Sequence, residues 1–421
     1  MADAKMQAMS RHFFYGWVIV GVSFLGLFAA AATSPPVFTL FIEPIEKEFG
    51  WSRATIAGAI SLGALATMPV LPLLGRFLDR HGARAVVTLS GLLTALSLVS
   101  LAWVKNIWGF YLLFGLGRIL DQGVLALSCT VSVSNWFIRR RGRAQAIINV
   151  GRSLGTVLLP LVAYFILRQW DWRIAWIVIG IVIGVILVPP AAFLLRRRPE
   201  DVGLHPDGAA FSPADPSTGA LSAEPQWTLS DAMRTRALWL VASAIFIRGL
   251  AAPGIAVHLI PYLLDRGVEP GAAAATNSLF SAGLGIGGLM WGWLAERRKV
   301  RGLFSMSFAL SSAGVVLLLA TDNTPLALSY GIIAGVALGG VFILDPVLWP
   351  EYYGRRSLGA IQGFTMPFFY AGTALGPILA GLVYDLKESY QIAFASFAVA
   401  YALAALMVFL AKPPQPRRGP R

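Results

Sequence analysis

Twelve stretches of mainly apolar residues, each long enough to cross a bilayer as a helix, leave this chain little freedom in what it can fold into. A spanning helix needs about 20 such residues. Runs of that length fall at residues 17–40, 52–77, 84–104, 108–135, 144–166, 174–195, 237–263, 271–294, 302–320, 325–349, 357–383 and 390–410. At 57% hydrophobic and 13% charged residues, the 421-residue chain lies far outside the composition of soluble domains. An all-α, polytopic membrane protein follows. The first span comes after a short polar segment with Lys5 and Arg11 and is not followed by a small-residue cleavage signal, so it is expected to be retained.

The twelve spans form two sets of six, and the sequence repeats between them. GRFLDRHGAR (Gly75 to Arg84) has a counterpart in GWLAERRKVR (Gly292 to Arg301), 217 residues on. In both, an acid stands four residues after glycine, an arginine follows at once, and another arginine closes the decad. The same offset relates Pro36 to Pro253, Pro44 to Pro261, Gly50 to Gly267, Gly123 to Gly340, Gly155 to Gly372 and Pro160 to Pro377. Two related halves in one order are the layout of transporters built from repeated helical bundles. The expected organisation is an N-terminal six-helix bundle (1–195), a cytoplasmic linker with a short surface helix (196–236) and a C-terminal six-helix bundle (237–421).

Lysine and arginine set the orientation, because cytoplasmic loops carry their excess. Of 34, 24 fall in the termini and the loops on the same side, and seven fall on the other side: Lys47, Arg53, Lys105, Arg168, Arg173, Arg266 and Lys387. Both termini are therefore expected in the cytoplasm. The basic balance is spread over short loops and forms no patch on a folded domain, which excludes nucleic-acid binding. The linker is rich in Pro, Ser, Gly and Asp and reads as flexible; near its end Thr228 and Asp231 stand at capping-box spacing, which predicts a surface helix over WTLSDAMRTRALW. The lone Cys129 lies in an apolar run, so no disulfide framework or metal cluster is expected.

Two six-helix halves with GRFLDRHGAR between the second and third spans, and a degenerate copy between the eighth and ninth, resemble the major facilitator superfamily. Four further segments resemble its bacterial monocarboxylate-transporter-like and oxalate/formate-exchanger branch: FYGWVIV, WFIRRRGRAQA, RRRPEDVGLHPDG and EYYGRRSLGAIQG. The resemblance implies that the first decad latches the cytoplasmic side against the eleventh span. Gly75 allows close approach, and Asp79 is expected to sit near the positive N-terminal end of a facing helix and to pair with Arg80 or Arg84. Glu296, Arg297 and Arg301 are the matching gate, with Asp345 expected to serve Arg297 or Arg301.

An ionisable group at mid-membrane is costly and marks a substrate or proton path. Arg118, Arg152 and Arg248 lie within spans, roughly 13–17 Å from their ends. One clearly central acid, Asp121, stands three residues from Arg118. Three cations against one anion leave a positive site that an anionic substrate would compensate through carboxylate-guanidinium geometry. The alternative is that Arg118 pairs with Asp121 while the others bond to backbone carbonyls or to Gln122 and Asn149. Arg118 also fits a superfamily pattern of arginine followed by Gln-Gly, here R-ILD-QG with one extra residue. The resemblance implies a carboxylate-holding arginine in the eighth span, but that span has no charge before Glu296 and offers Asn277 and Ser281 instead. Asp121 and His258 are the candidates for proton coupling, and Tyr370 is a candidate cavity contact. Gly151, Gly155, Gly372 and Gly376 stand at small-residue packing spacing.

No nucleotide-binding loop, catalytic triad or zinc spacing occurs, so no enzyme activity, metal or cofactor is expected and a gradient must supply the energy. The reading is a monomeric, proton-coupled symporter of a small organic anion in a bacterial inner membrane, with lipid, protons and the anion as its partners. Anion exchange, multidrug efflux and a non-transporting sensor are the alternatives.

Overall fold

The computed structural model describes residues 14–208 and 225–415. The segment carrying Lys5 and Arg11, the middle of the linker and the last arginines of the tail lie outside the described residues. The chain divides into two compact units, one of residues 1–224 with Leu358–Phe364, the other of Pro225–Ser357 and Thr365–Arg421.

The first unit contains α1 (Gly16–Ala29), α2 (Pro35–Phe49), α3 (Arg53–His81), α4 (Ala83–Ser100), α5 (Ile107–Trp136), α6 (Arg141–Gln169) and α7 (Trp172–Leu194). The second contains α8 (Leu229–Met233), α9 (Arg236–Asp265), α10 (Pro270–Ala295), α11 (Val300–Leu319), α12 (Thr324–Tyr353), most of α13 (Leu358–Lys387) and α14 (Gln391–Leu410). Among the described residues eleven helices are long and apolar enough to cross a membrane; α1 is shorter. The helix starts are chemically marked. Ser52, Asn106, Thr235 and Asn323 each accept a hydrogen bond from the backbone N–H three residues on, satisfying donors that the first turn leaves free.

Three expectations need correction. The first span, expected to be one helix over 17–40, is broken between Ala29 and Pro35. Pro35 and Pro36 cannot donate to the preceding turn, and Ser34 before them is extended at ψ 153°. The surface helix over WTLSDAMRTRALW shrinks to the five residues of α8, because Thr235 turns away to cap α9. The start of the linker is also docked, not flexible. Asp207, at φ 58°, accepts backbone N–H groups of Ile138, Arg139 and Arg140 at 2.9, 2.8 and 3.1 Å, and Trp136 donates to the Arg196 carbonyl.

The repeat is visible in how each unit packs. A Cβ on Gly155 of α6 would lie 2.5 Å from the Phe28 carbonyl oxygen of α1. A Cβ on Gly372 of α13 would lie 2.3 Å from that of Phe246 on α9. The 217-residue register equates the two glycines, and each lets a helix backbone lie directly on its neighbour.

Candidate functional site

A broken helix in an apolar interior exposes backbone donors and acceptors that no water will satisfy. The break at Ala30–Ser34 is met by side chains of α5. The Asp121 carboxylate accepts the Thr33 N–H at 3.0 Å and the Thr33 hydroxyl at 2.8 and 2.7 Å from its two oxygens. Arg118 donates to the Thr33 carbonyl at 2.8 Å, and the Gln122 amide donates to the Ala30 carbonyl. Asp121 is fully buried. The extra residue in R-ILD-QG explains how three neighbouring side chains reach this one break. Residues Ile119–Leu125 form a π-helical turn, the form in which an α-helix absorbs a one-residue insertion. Gly63 of α3 leaves room for Arg118, since a Cβ there would lie 2.9 Å from its Cδ.

Arg118, predicted as a substrate contact, and Asp121, predicted for proton coupling, are thus engaged with the backbone of the first span. Thr33, the residue they hold, carries no signal in the sequence beyond the two prolines that follow Ser34. Arg152 is half-buried on α6, and Asn149, one turn before it, donates to the Gln145 carbonyl at 2.9 Å.

In the second unit, Arg248 of α9 donates from Nη1 to Asp345 of α12 at 2.9 Å. The pair is buried, with side-chain exposures of 3% and 9%. The other Asp345 oxygen accepts Trp349 Nε1 at 2.8 Å, and the guanidinium lies over the rings of Phe342 (5.0 Å) and Phe369 (4.5 Å). Arg248 Nε is buried without a hydrogen-bond partner among the described residues. The expected pairing of Asp345 with Arg297 or Arg301 is therefore not formed. The helix continues four residues beyond the expected end at 349, to Tyr353, leaving Asp345 about 12 Å from its terminus. Arg297 lies over Trp293 at 3.9 Å and Arg301 over Phe409 at 5.8 Å. The count of three cations facing one anion is corrected with it, because Arg248 has its own carboxylate.

The first decad is assembled within the first unit. Asp79 Oδ1 and Oδ2 accept the N–H groups of Gly359 and Ala360, at 2.8 and 2.7 Å, at the start of α13. A Cβ on Gly75 would lie 2.1 Å from the Gly359 carbonyl oxygen, so only glycine fits this approach. Asp79 makes no ion pair with Arg80 or Arg84 among the described residues; instead Arg197 donates to its carbonyl. Of the remaining predicted residues, His258 Nε2 is 3.1 Å from the Pro377 carbonyl and its ring lies 4.9 Å from that of Tyr390. Asn277 is exposed, Tyr370 is half-buried beside Phe369, and Glu296 is half-buried at the end of α10.

Helices of this length in two units repeated at one register, each with a charged centre, match a known family throughout. The family model of the Major Facilitator Superfamily matches residues 17–366 and, in a second match, 246–421. The chain belongs to the major facilitator superfamily. It is similar to the MFS-type transporter YcxA of Bacillus subtilis, 24% identical over 88% of this chain and 89% of that one. It is also similar to monocarboxylate transporter 12 of Homo sapiens, 25% identical over 90% of this chain and 77% of that one. The crystal structure of the human organic anion transporter MFSD10 (TETRAN) matches with a TM-score of 0.68, at 16% identity, over 93% and 99% of the two chains, a likeness of fold. This superfamily chain is a multi-pass membrane transporter.

Proposed function

We propose that this transporter moves a small organic anion, a carboxylate, across a bacterial cytoplasmic membrane by proton symport with alternating access, both termini lying in the cytoplasm. The Arg248–Asp345 pair carries the reading. A buried guanidinium needs an anion, and here it has one that binds through a single nitrogen while Nε goes without a partner. A proton on Asp345 removes that anion, and a substrate carboxylate then supplies the missing charge through the bidentate geometry that arginine favours. Proton and anion enter together, and the site stays neutral. Asp121 suits this role less, being committed to the break in the first span, and so does His258, held against the Pro377 carbonyl. Relatives whose names describe monocarboxylate transport agree with an anionic cargo.

Arg152, Asn277 and Tyr370 are the further contacts proposed for the substrate. Gly75 and Asp79, with Arg80 and Arg84 nearby, are proposed as the gate of the first unit, and Glu296, Arg297 and Arg301 as its degenerate counterpart. The test is uptake of labelled carboxylates into proteoliposomes with an imposed pH gradient. Asp345→Asn is expected to lose gradient-driven accumulation while keeping exchange of anion for anion, and Arg248→Gln to lose both. Full uptake by Arg118→Gln, Arg152→Gln and Arg248→Gln, each tested singly, refutes anion binding by these arginines.

A further inference from the structure

A cavity of about 410 Å³, counted with its open mouth, lies wholly inside the second unit. Its walls are mainly apolar, formed in part by Ile255 and Leu259 of α9, Phe280 of α10 and Val315 of α11, with Asn277 and Ser311 as polar members of the lining. Into it face two tyrosines, Tyr330 of α12 and Tyr401 of α14, which are 2% and 3% exposed. Neither hydroxyl has a hydrogen-bond partner among the described residues. A buried phenol usually finds a partner, and leaving one unpaired is unfavourable. Two in one cavity point to a ligand oxygen.

The cavity begins one turn beyond Arg248, since Ala252 belongs to its wall. No cation lines it, so a second carboxylate would be buried there without compensation. An uncharged oxygen carried on an apolar body satisfies both tyrosines at no such cost.

We propose that this cavity is the specificity half of the carboxylate site. It takes the apolar body of an aromatic or branched monocarboxylate whose far end bears a hydroxyl or keto oxygen, bound by Tyr330 and Tyr401. The proposal rests on Arg248 as the anchor for the carboxylate. Carboxylates that end at two or three carbons would leave the cavity unused.

The experiment measures binding of acetate, phenylacetate and 4-hydroxyphenylacetate to the full-length protein in lipid nanodiscs by titration calorimetry. The expected order is acetate weakest, phenylacetate at least tenfold tighter, and 4-hydroxyphenylacetate a further threefold to tenfold tighter. Tyr330→Phe/Tyr401→Phe, which keeps the rings, is expected to erase the last step alone, and Ala256→Phe, which fills the cavity, to reduce the aromatic acids to the affinity of acetate. Binding of all three acids with equal affinity overturns the cavity assignment and leaves the arginine anchor standing. Failure of every acid to bind overturns both. The unmodified protein decides between these outcomes even where a variant fails to fold.

Discussion

Replacing Asp121 with alanine removes the acceptor that holds the break in the first span, and the size of the effect follows from the contacts. Three hydrogen bonds at 3.0, 2.8 and 2.7 Å end on this carboxylate. Their loss strands the Thr33 N–H and hydroxyl in a buried site, at about 1–3 kcal/mol for each unsatisfied group. It also leaves Arg118 without its neighbouring anion, while relief of the desolvation of a fully buried carboxylate offsets part of the cost. The net expectation is a loss of about 3–5 kcal/mol for Asp121→Ala. Asp121→Asn, which keeps one acceptor oxygen, is expected to lose about half as much. The assay is unfolding of the purified protein by sodium dodecyl sulfate in mixed micelles, read by tryptophan fluorescence, in a double-mutant cycle with Thr33→Val. A coupling energy of about 1–2 kcal/mol is expected. If Asp121→Ala unfolds within about 1 kcal/mol of the parent, or the two substitutions add within about 0.5 kcal/mol, Asp121 does not hold the break.

Four further outcomes are expected. Deleting Ile119 restores an uninterrupted α-helix and turns Arg118 about 100° away from Asp121 and Gln122; the deletion should sharply reduce the monodisperse fraction on size exclusion, whereas Ile119→Ala should behave like the parent. Gly75→Ala drives a methyl group into the Gly359 carbonyl and should cost about 1–3 kcal/mol in the same micelle titration, with loss of uptake. Asp207→Ala leaves three N–H groups of residues 138–140 without their acceptor and should cost about 1–2 kcal/mol, seen as faster amide exchange there. Glu48 of α2 is held below its ordinary value of 4.5, first by hydrogen bonds from Arg173 of α7 and also by one from Trp172. Its contribution to stability is therefore complete above that value and fades as the pH falls below it, and Glu48→Gln should flatten the acid limb of a melting-temperature profile measured from pH 6 to pH 3.

Length and hydropathy alone determined the membrane class and the helix count to within one broken span, because lipid enforces about 20 apolar residues per crossing whatever the neighbours are. The 217-residue register foretold that Gly155 and Gly372 would do the same work, since a glycine kept for close approach is a local requirement. The break after Ala29 overturned the single span expected over 17–40, although its cause is local to Pro35 and Pro36, and the π-turn, for which no expectation was made, is local to the extra residue of R-ILD-QG. Each is a backbone constraint carried by a few adjacent residues. Partnership was not legible in this way. That Asp345 meets Arg248 and not Arg297, that Arg118 and Asp121 serve the backbone of the first span, and that Asp207 reaches back some 70 residues to Ile138 all depend on how helices far apart in sequence are registered against each other. A buried charge announces its cost in the sequence, but only the packed structure decides which group compensates it.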